Sequence, residues 1–233
     1  QFQITVADTP TSRNLSMLQF IKNIIQLVFS PDRGWEDLEQ ECDKRFLDTR
    51  VSETADSGDF QRGATFTSQR GKWDEQVAQS TFLRCFLPFV AVCSLSELMR
   101  VVYGTADLVD AFIRAAISFM TLFLASQVGR FALQFYCPRL IDSNTDPADL
   151  RGRWFMLTIY PLAFLAIVEM LANMVKVHIA LLGFLPFYVV FIIWKGWRFA
   201  GIEERNVGPF MILATASILG SAYLIDFALG RLI

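Results

Sequence analysis

The stretch Trp154-Phe155-Met156-Leu157-Thr158-Ile159-Tyr160-Pro161-Leu162-Ala163-Phe164-Leu165-Ala166-Ile167-Val168-Glu169-Met170-Leu171-Ala172-Asn173-Met174 decides how this chain is read. Its 21 residues carry a single charge, Glu169. A helix rising 1.5 Å per residue needs ~20 mostly apolar residues to cross a ~30 Å hydrocarbon core. The stretch therefore predicts a membrane span. Working outward, four further apolar runs read the same way. Phe82–Tyr103 and Leu108–Phe135 precede it, and Val177–Trp197 and Pro209–Leu229 follow. The expectation is an all-α, polytopic bundle of five transmembrane helices within residues 80–233.

The first two runs are less pure, and each is bracketed by arginines. Arg84 and Arg100 are 16 residues apart, as are Arg114 and Arg130. That separation corresponds to about 24 Å of helix, from which Arg side chains can snorkel to both interfaces. Composition agrees with a membrane domain. Apolar residues make up 53% and charged residues 19%, against about 45–50% and about 25% in soluble domains. Half of the charged residues lie in residues 1–79, a third of the chain, so the chain divides into a polar segment and a membrane segment.

Several classes of function are disfavoured by the same composition. A net charge of −2 leaves no basic stripe for nucleic acid. The single histidine, His178, excludes a multi-histidine metal site and an H-E-x-x-H site. Cys42, Cys85, Cys93 and Cys137 form no C-x-x-C pattern and are expected to be reduced and structural. No cofactor and no metal is expected. Residues 1–16 are polar, and no short apolar stretch leads to a small-residue cleavage site, so no signal peptide is expected.

Residues 1–16 read as a polar tail and residues 17–41 as interfacial amphipathic helices. Leu18, Ile21, Ile24, Ile25 and Val28 recur at helical spacing. The segment is too short to span. It fits either a helix lying on the bilayer surface or one packed against the protein's own membrane domain. Ser30-Pro31 ends it, because proline disfavours helix at the preceding residue. Pro31 then opens a second helix, in which Trp35 suits the headgroup level. Residues 42–79 are polar, without a sustained apolar period, and read as a long loop with a turn near Arg62-Gly63-Ala64-Thr65-Phe66-Thr67.

Lysine and arginine in the connecting segments set orientation. With the N-terminus inside, Arg130, Arg139, Arg151, Arg153, Lys195, Arg198 and Arg205 fall on the inner side, and only Arg100, Lys176 and Arg231 fall outside. The C-terminus is then outside. Charges within spans are costly and point to function. Glu97 and Arg100 are three apart, and Asp110 and Arg114 four apart, so each pair shares a helix face. Together they read as an ion-pair cluster pinning a short hairpin, or as a substrate or lipid-headgroup site. Glu169 and Asp226 add two carboxylates in the outer half of the membrane. These read as neutralised by Arg100, Arg114, Lys176 or Arg231, or as a cation or proton site. Glu203-Glu204-Arg205 lacks the histidine that would make it a protease-like pair and reads as a solvated turn.

Three stretches, in order, resemble the Yip1 family of integral membrane proteins, its bacterial branch in particular. The first is Leu27-Val28-Phe29-Ser30-Pro31 with Trp35 and Glu41 beyond it; the second is Phe82-Leu83-Arg84-Cys85-Phe86-Leu87-Pro88. The third runs from Ile159-Tyr160-Pro161 to Tyr188 and Trp194-Lys195-Gly196. Asp149-Leu150-Arg151-Gly152-Arg153 lacks the proline of the eukaryotic members' Asp-Leu-x-Gly-Pro motif, so their partnership with small GTPases is not implied. The resemblance implies a non-enzymatic scaffold or accessory subunit of a bacterial cytoplasmic membrane. Its partners would be the lipid bilayer and either other proteins or further copies of itself, not nucleic acid. A small transporter or lipid-handling protein that uses the outer-half charges is the alternative.

Overall fold

The computed structural model describes residues 17–57, 74–141, 146–175 and 180–231. Residues 1–16, the expected turn at 62–67, Lys176 and His178 lie outside them. Within the described residues the protein is all-helical and has no strand; Ile141 and Ile202 form an isolated antiparallel bridge. The helices are α1 (Met17–Phe29), α2 (Pro31–Ser57), α3 (Asp74–Val102), α4 (Leu108–Arg139), α5 (Pro147–Met174), α6 (Ala180–Lys195) and α7 (Glu204–Gly230). Among them α3, α4, α5 and α7 are long and apolar enough to cross a membrane, whereas α6, at 16 residues, is shorter.

Helix α5, which contains the stretch read first, forms the axis of the bundle. In its apolar part 72% of residues are buried, against 28% in each of the other three long helices. It starts cleanly: Asp146 accepts a hydrogen bond from the Ala148 N–H at 2.9 Å, with Pro147 at the first helical position. Helices α3, α4 and α6 pack on it, and α7 packs across α4 and α6. The bundle helices alternate in direction. The Tyr103 hydroxyl donates to Met174 O at 2.6 Å and places the ends of α3 and α5 together. At the other end, the Ile141–Ile202 bridge joins the end of α4 to the approach to α7.

In α3 the helix widens before Pro88. The Leu87 N–H donates to Phe82 O, five residues back, in a π-helical turn over Phe82–Phe86. Pro88 has no N–H to continue the regular ladder, and wider turns of this kind absorb such a gap.

The N-terminal pair α1–α2 packs on the bundle. Phe20, Ile24 and Leu27 are buried, with the Phe20 ring 5.3 Å from Tyr160 and 5.8 Å from Phe89. Of the two placements open from sequence, contact with the protein's own membrane domain is the one observed. The polar side chains of α1 turn to α2: Gln26 donates to Asp37, and Gln19 and Asn23 donate to Glu41 at 3.5 and 3.4 Å.

Two sequence expectations change. Trp35 does not present its ring to headgroups: it is 2% exposed, stacked on Phe199 and edge-on to Tyr160. Its indole N–H donates to Ile192 O at 2.9 Å. Gly196 makes the approach possible, since a Cβ there would lie 3.0 Å from the Trp35 ring and 2.4 Å from Leu157. The second change concerns residues 42–79. Helix α2 continues through Ser57, and α3 begins at Asp74, so the expected loop is flanked by helix on both sides. Between Gly34 and Gly58 the chain has neither glycine nor proline to stop a helix. An apolar stripe is needed only where a helix packs, so its absence was a poor sign of loop.

Ion pairs reinforce this end. Arg153 reaches Glu39 at 2.6 Å and Asp74 at 3.6 Å, Arg130 reaches Glu75 at 3.2 Å, and Lys195 reaches Asp32 at 2.9 Å. Gly152 lets α3 start against α5, because a Cβ there would lie 2.3 Å from the Asp74 backbone.

Trp35→Ala is expected to destabilise the protein by about 3–5 kcal/mol through the cavity it leaves. Trp35→Phe keeps the ring, loses the indole hydrogen bond and should cost about 1–2 kcal/mol. Denaturant titration of the purified protein in mixed micelles measures both. Equal losses would show that ring packing contributes nothing beyond the hydrogen bond.

Candidate functional site

At the bundle end away from α1–α2, helices α3, α4, α5 and α7 surround a cavity of about 330 Å³. Its lining includes Glu97 from α3, Arg114 and Ser118 from α4, Glu169 and Asn173 from α5, and Asp226 and Gly230 from α7. The spacing explains the assembly. Arg114 and Ser118, Glu169 and Asn173, and Asp226 and Gly230 are each four apart, one helical turn on one face.

Glu169 lies at the deeper level. The Ser118 hydroxyl donates to its Oε2 at 3.0 Å, and Ser118 in turn lies 3.3 Å from the Ser94 hydroxyl. Above it, Asn173 Nδ2 donates to Glu97 Oε1 at 2.8 Å and to Ser96 Oγ at 3.1 Å. Glu97 pairs with Arg100 across one turn at 3.5 Å, its own side chain 15% exposed. Asp226 and Arg114 are exposed at the mouth.

Four of the six residues singled out in the sequence thus line one cavity, and Arg100 joins through Glu97. Asp110 does not: it is exposed on the first turn of α4 and lines no part of the cavity. The expected cluster of two ion pairs reduces to one, Glu97–Arg100. Arg114 points to the cavity, and no ion pair joins it to Asp110 among the described residues. The expected neutralisation of Glu169 and Asp226 by Arg100, Arg114 or Arg231 is not seen either, and Lys176, the other expected partner, lies outside the described residues. Among the described residues neither makes an ion pair, and Arg231 lies instead over the Phe227 ring, 4.3 Å from its centre.

Ser118 and Asn173, which hold the carboxylates, were not singled out in the sequence. Their signal was available: each sits one turn from a charged residue already suspected. Which helices would face one another was not available, and that arrangement makes them ligands of Glu169 and Glu97.

The arrangement is chemically mixed. Three carboxylates and one guanidinium without an ion pair face a common space, with an amide and a hydroxyl as orienting groups. It suits a ligand carrying a positive charge, or both signs. Among the described residues no group of three His, Cys, Asp or Glu side chains is placed to hold a metal ion. Cys42, Cys85, Cys93 and Cys137 are all buried, and none is joined in a disulfide. Glu203 and Arg205 pair with each other at 3.2 Å on the opposite end of the bundle.

Compared with known proteins, the chain matches no family model, no curated protein and no solved structure.

Glu169→Gln removes a carboxylate that a single side-chain hydroxyl supports at membrane depth. It is expected to stabilise the protein by about 1–3 kcal/mol at pH 8, because an unpaired charge in low dielectric is costly. Ser118→Ala removes that hydroxyl and should cost about 1 kcal/mol or more. Thermal unfolding in detergent measures both. Destabilisation by Glu169→Gln would mean that the carboxylate is paired in the folded protein.

Proposed function

We propose that the protein is a five-span integral membrane protein of Yip1 type in a bacterial cytoplasmic membrane, its N-terminus inside and its C-terminus outside. It acts without catalysis, as a scaffold or accessory subunit in membrane organisation. The observation that carries this reading is the contrast between the two ends of the bundle. The end nearer α1–α2 is filled by buried side chains, among them Phe20, Phe86, Trp154, Phe155, Tyr160 and Phe199. The 330 Å³ cavity is confined to the other end. A transporter needs a polar route to both faces, whereas a filled, ion-paired end suits a fixed docking platform.

Chain direction supports the fifth span. Helix α5 ends beside Tyr103, while α7 begins beside Leu140, where the Glu203 N–H donates to Leu140 O at 3.3 Å. The chain returns between those ends through α6. Sixteen residues of helix cover about 24 Å, and flanking residues complete a crossing. Basic residues support the orientation, since Arg139, Arg151, Arg153, Lys195, Arg198 and Arg205 cluster at the α1–α2 end. The Yip1 reading gains from one contact: Trp35 of the leader and Gly196 of the Trp194-Lys195-Gly196 stretch, two parts of the resemblance, touch in space.

Beside that contact, α2 and α6 form a smaller recess of about 150 Å³. It is lined by Asp32, Glu36 and Glu39 on one side and by Trp194, Lys195, Trp197 and Arg198 on the other. Its aromatic and charged rim fits a protein partner at the inner face.

A second reading, a lipid-handling protein, is favoured by the outer cavity itself. Arg114 beside Glu169 and Asp226 matches a headgroup that carries a phosphate and an ammonium.

Affinity purification of the full chain in mild detergent, with co-purifying chains and lipids identified, separates the two. A stoichiometric protein partner is expected. A lone protein that repeatedly retains one phospholipid class would instead favour lipid handling. For topology, a cysteine replacing Arg151 should resist an impermeant thiol reagent in intact cells, and one replacing Thr105 should react. The reverse pattern would overturn the orientation.

A further inference from the structure

We infer that α1 lies flat within the hydrocarbon region of one leaflet, as a membrane-embedded half-layer helix whose outer stripe contacts lipid acyl chains. This inference rests on the membrane reading of the bundle and not on its orientation. Depth comes first. Near the start of α1, Phe20 packs on Tyr160, which is seven residues along α5 from Arg153. Near its end, Val28 O accepts from the Tyr188 hydroxyl at 2.7 Å, and Tyr188 is seven residues along α6 from Lys195. Seven residues of helix correspond to about 10 Å. Both ends of α1 therefore lie about 10 Å inside the level of the basic residues that close the spans. A helix with both ends at one depth runs parallel to the membrane plane. Half of a ~30 Å core is about 15 Å, so α1 lies below the headgroups.

The faces of α1 agree with that depth. Its polar residues Gln19, Asn23 and Gln26 are bonded within the α1–α2 pair, as a hydrocarbon setting requires. Its buried face meets α3 and α5. The remaining stripe presents Leu18, Ile25 and Phe29, which are 80%, 50% and 82% exposed. On the outward surface of the bundle Leu83, nine residues from Asp74, and Phe184 and Phe187, eleven and eight from Lys195, are likewise exposed and apolar. The same solvent must cover both. Lys22, the exposed cation on this helix, has a butyl stem long enough to snorkel to the headgroups. Helix α2 is the layer at headgroup level, with Asp32 and Glu39 on Lys195 and Arg153. The amphipathic pattern of residues 17–29 thus matches protein on one side and lipid on the other, with α2 between α1 and water.

The test is photolabelling of the unmodified protein in phosphatidylcholine vesicles, with the diazirine of a tracer phospholipid placed either at mid-acyl chain or on the headgroup. Mass spectrometry maps the labelled peptides. The acyl probe is expected to label residues 18–29 at a level within about threefold of residues 117–124 of α4, where Met120 and Leu124 are exposed, and the headgroup probe to label them at least fivefold less than the acyl probe does. Labelling of 18–29 chiefly by the headgroup probe would overturn the inference in favour of a surface helix. Protection from both probes, or cross-links there to a second copy of the chain, would overturn it in favour of a protein-covered face. If residues 117–124 also escape the acyl probe, the membrane reading itself fails, which keeps the two failures apart.

Discussion

Two indole hydrogen bonds to the C-terminal end of α6 hold the structure together. A helix leaves its last carbonyls without intrahelical donors, and within or near a membrane no water is at hand to satisfy them. Trp35 answers the carbonyl of Ile192, and Trp154 donates to that of Ala200 at 2.9 Å just beyond the helix. One indole comes from the N-terminal pair and the other from the central helix. The α6 end thus ties α2 to α5, and Tyr160 and Phe199 fill the space around the two rings. Loss of the Trp154 indole would take a side-chain donor from the Ala200 carbonyl, and loss of the Trp35 indole would leave Ile192 O to the Gly196 N–H at 3.2 Å. The tie explains why a short hairpin of modest apolar area stays attached to the bundle.

That attachment makes the two ends unequal. Where α1–α2 docks, acidic residues of α2 and α3 meet Arg153, Arg130 and Lys195, and charge is balanced within the protein. At the other end no such hairpin exists among the described residues. The helices close around Glu97, Glu169 and Asp226 with one guanidinium, that of Arg114, facing the same space. The imbalance marks the candidate site more clearly than any single residue does. Glu169, held by the neutral Ser118 hydroxyl, is retained at a cost in stability, and such costs concentrate where a ligand or partner supplies the missing charge.

The N-terminal segment shows how a correct pattern can leave its meaning open. The periodicity of Leu18, Ile21, Ile24, Ile25 and Val28 was legible as a helix with an apolar side. Another side of it carries the amides Gln19, Asn23 and Gln26. In the fold those amides are paired to Asp37 and Glu41, so the polar side faces α2. Hydrophobic periodicity reports that two environments differ without saying what they are. Trp35 illustrates the same limit: an indole suits the bilayer interface and a buried carbonyl equally well, and only the position of Gly196 decides between them.

The sequence by itself determined that the chain is a set of long apolar helices and which side chains are costly at membrane depth, although α3 begins at Asp74 and α5 at Pro147, well before the expected Phe82 and Trp154. These follow from local properties: apolar length, proline and glycine positions, and charge placement along one strand of helix. Tertiary structure alone decided that α5 is the axis and that Ser118 and Asn173 hold the carboxylates. It also decided that Asp110 stands apart while Glu97, Arg114, Glu169 and Asp226 converge. Convergence depends on which faces of four separate helices turn inward, and inside a bilayer an apolar face pays little to turn either way. Small contacts, such as Gly196 beneath Trp35 and Gly152 against the Asp74 backbone, therefore set the rotation of each helix and with it the site.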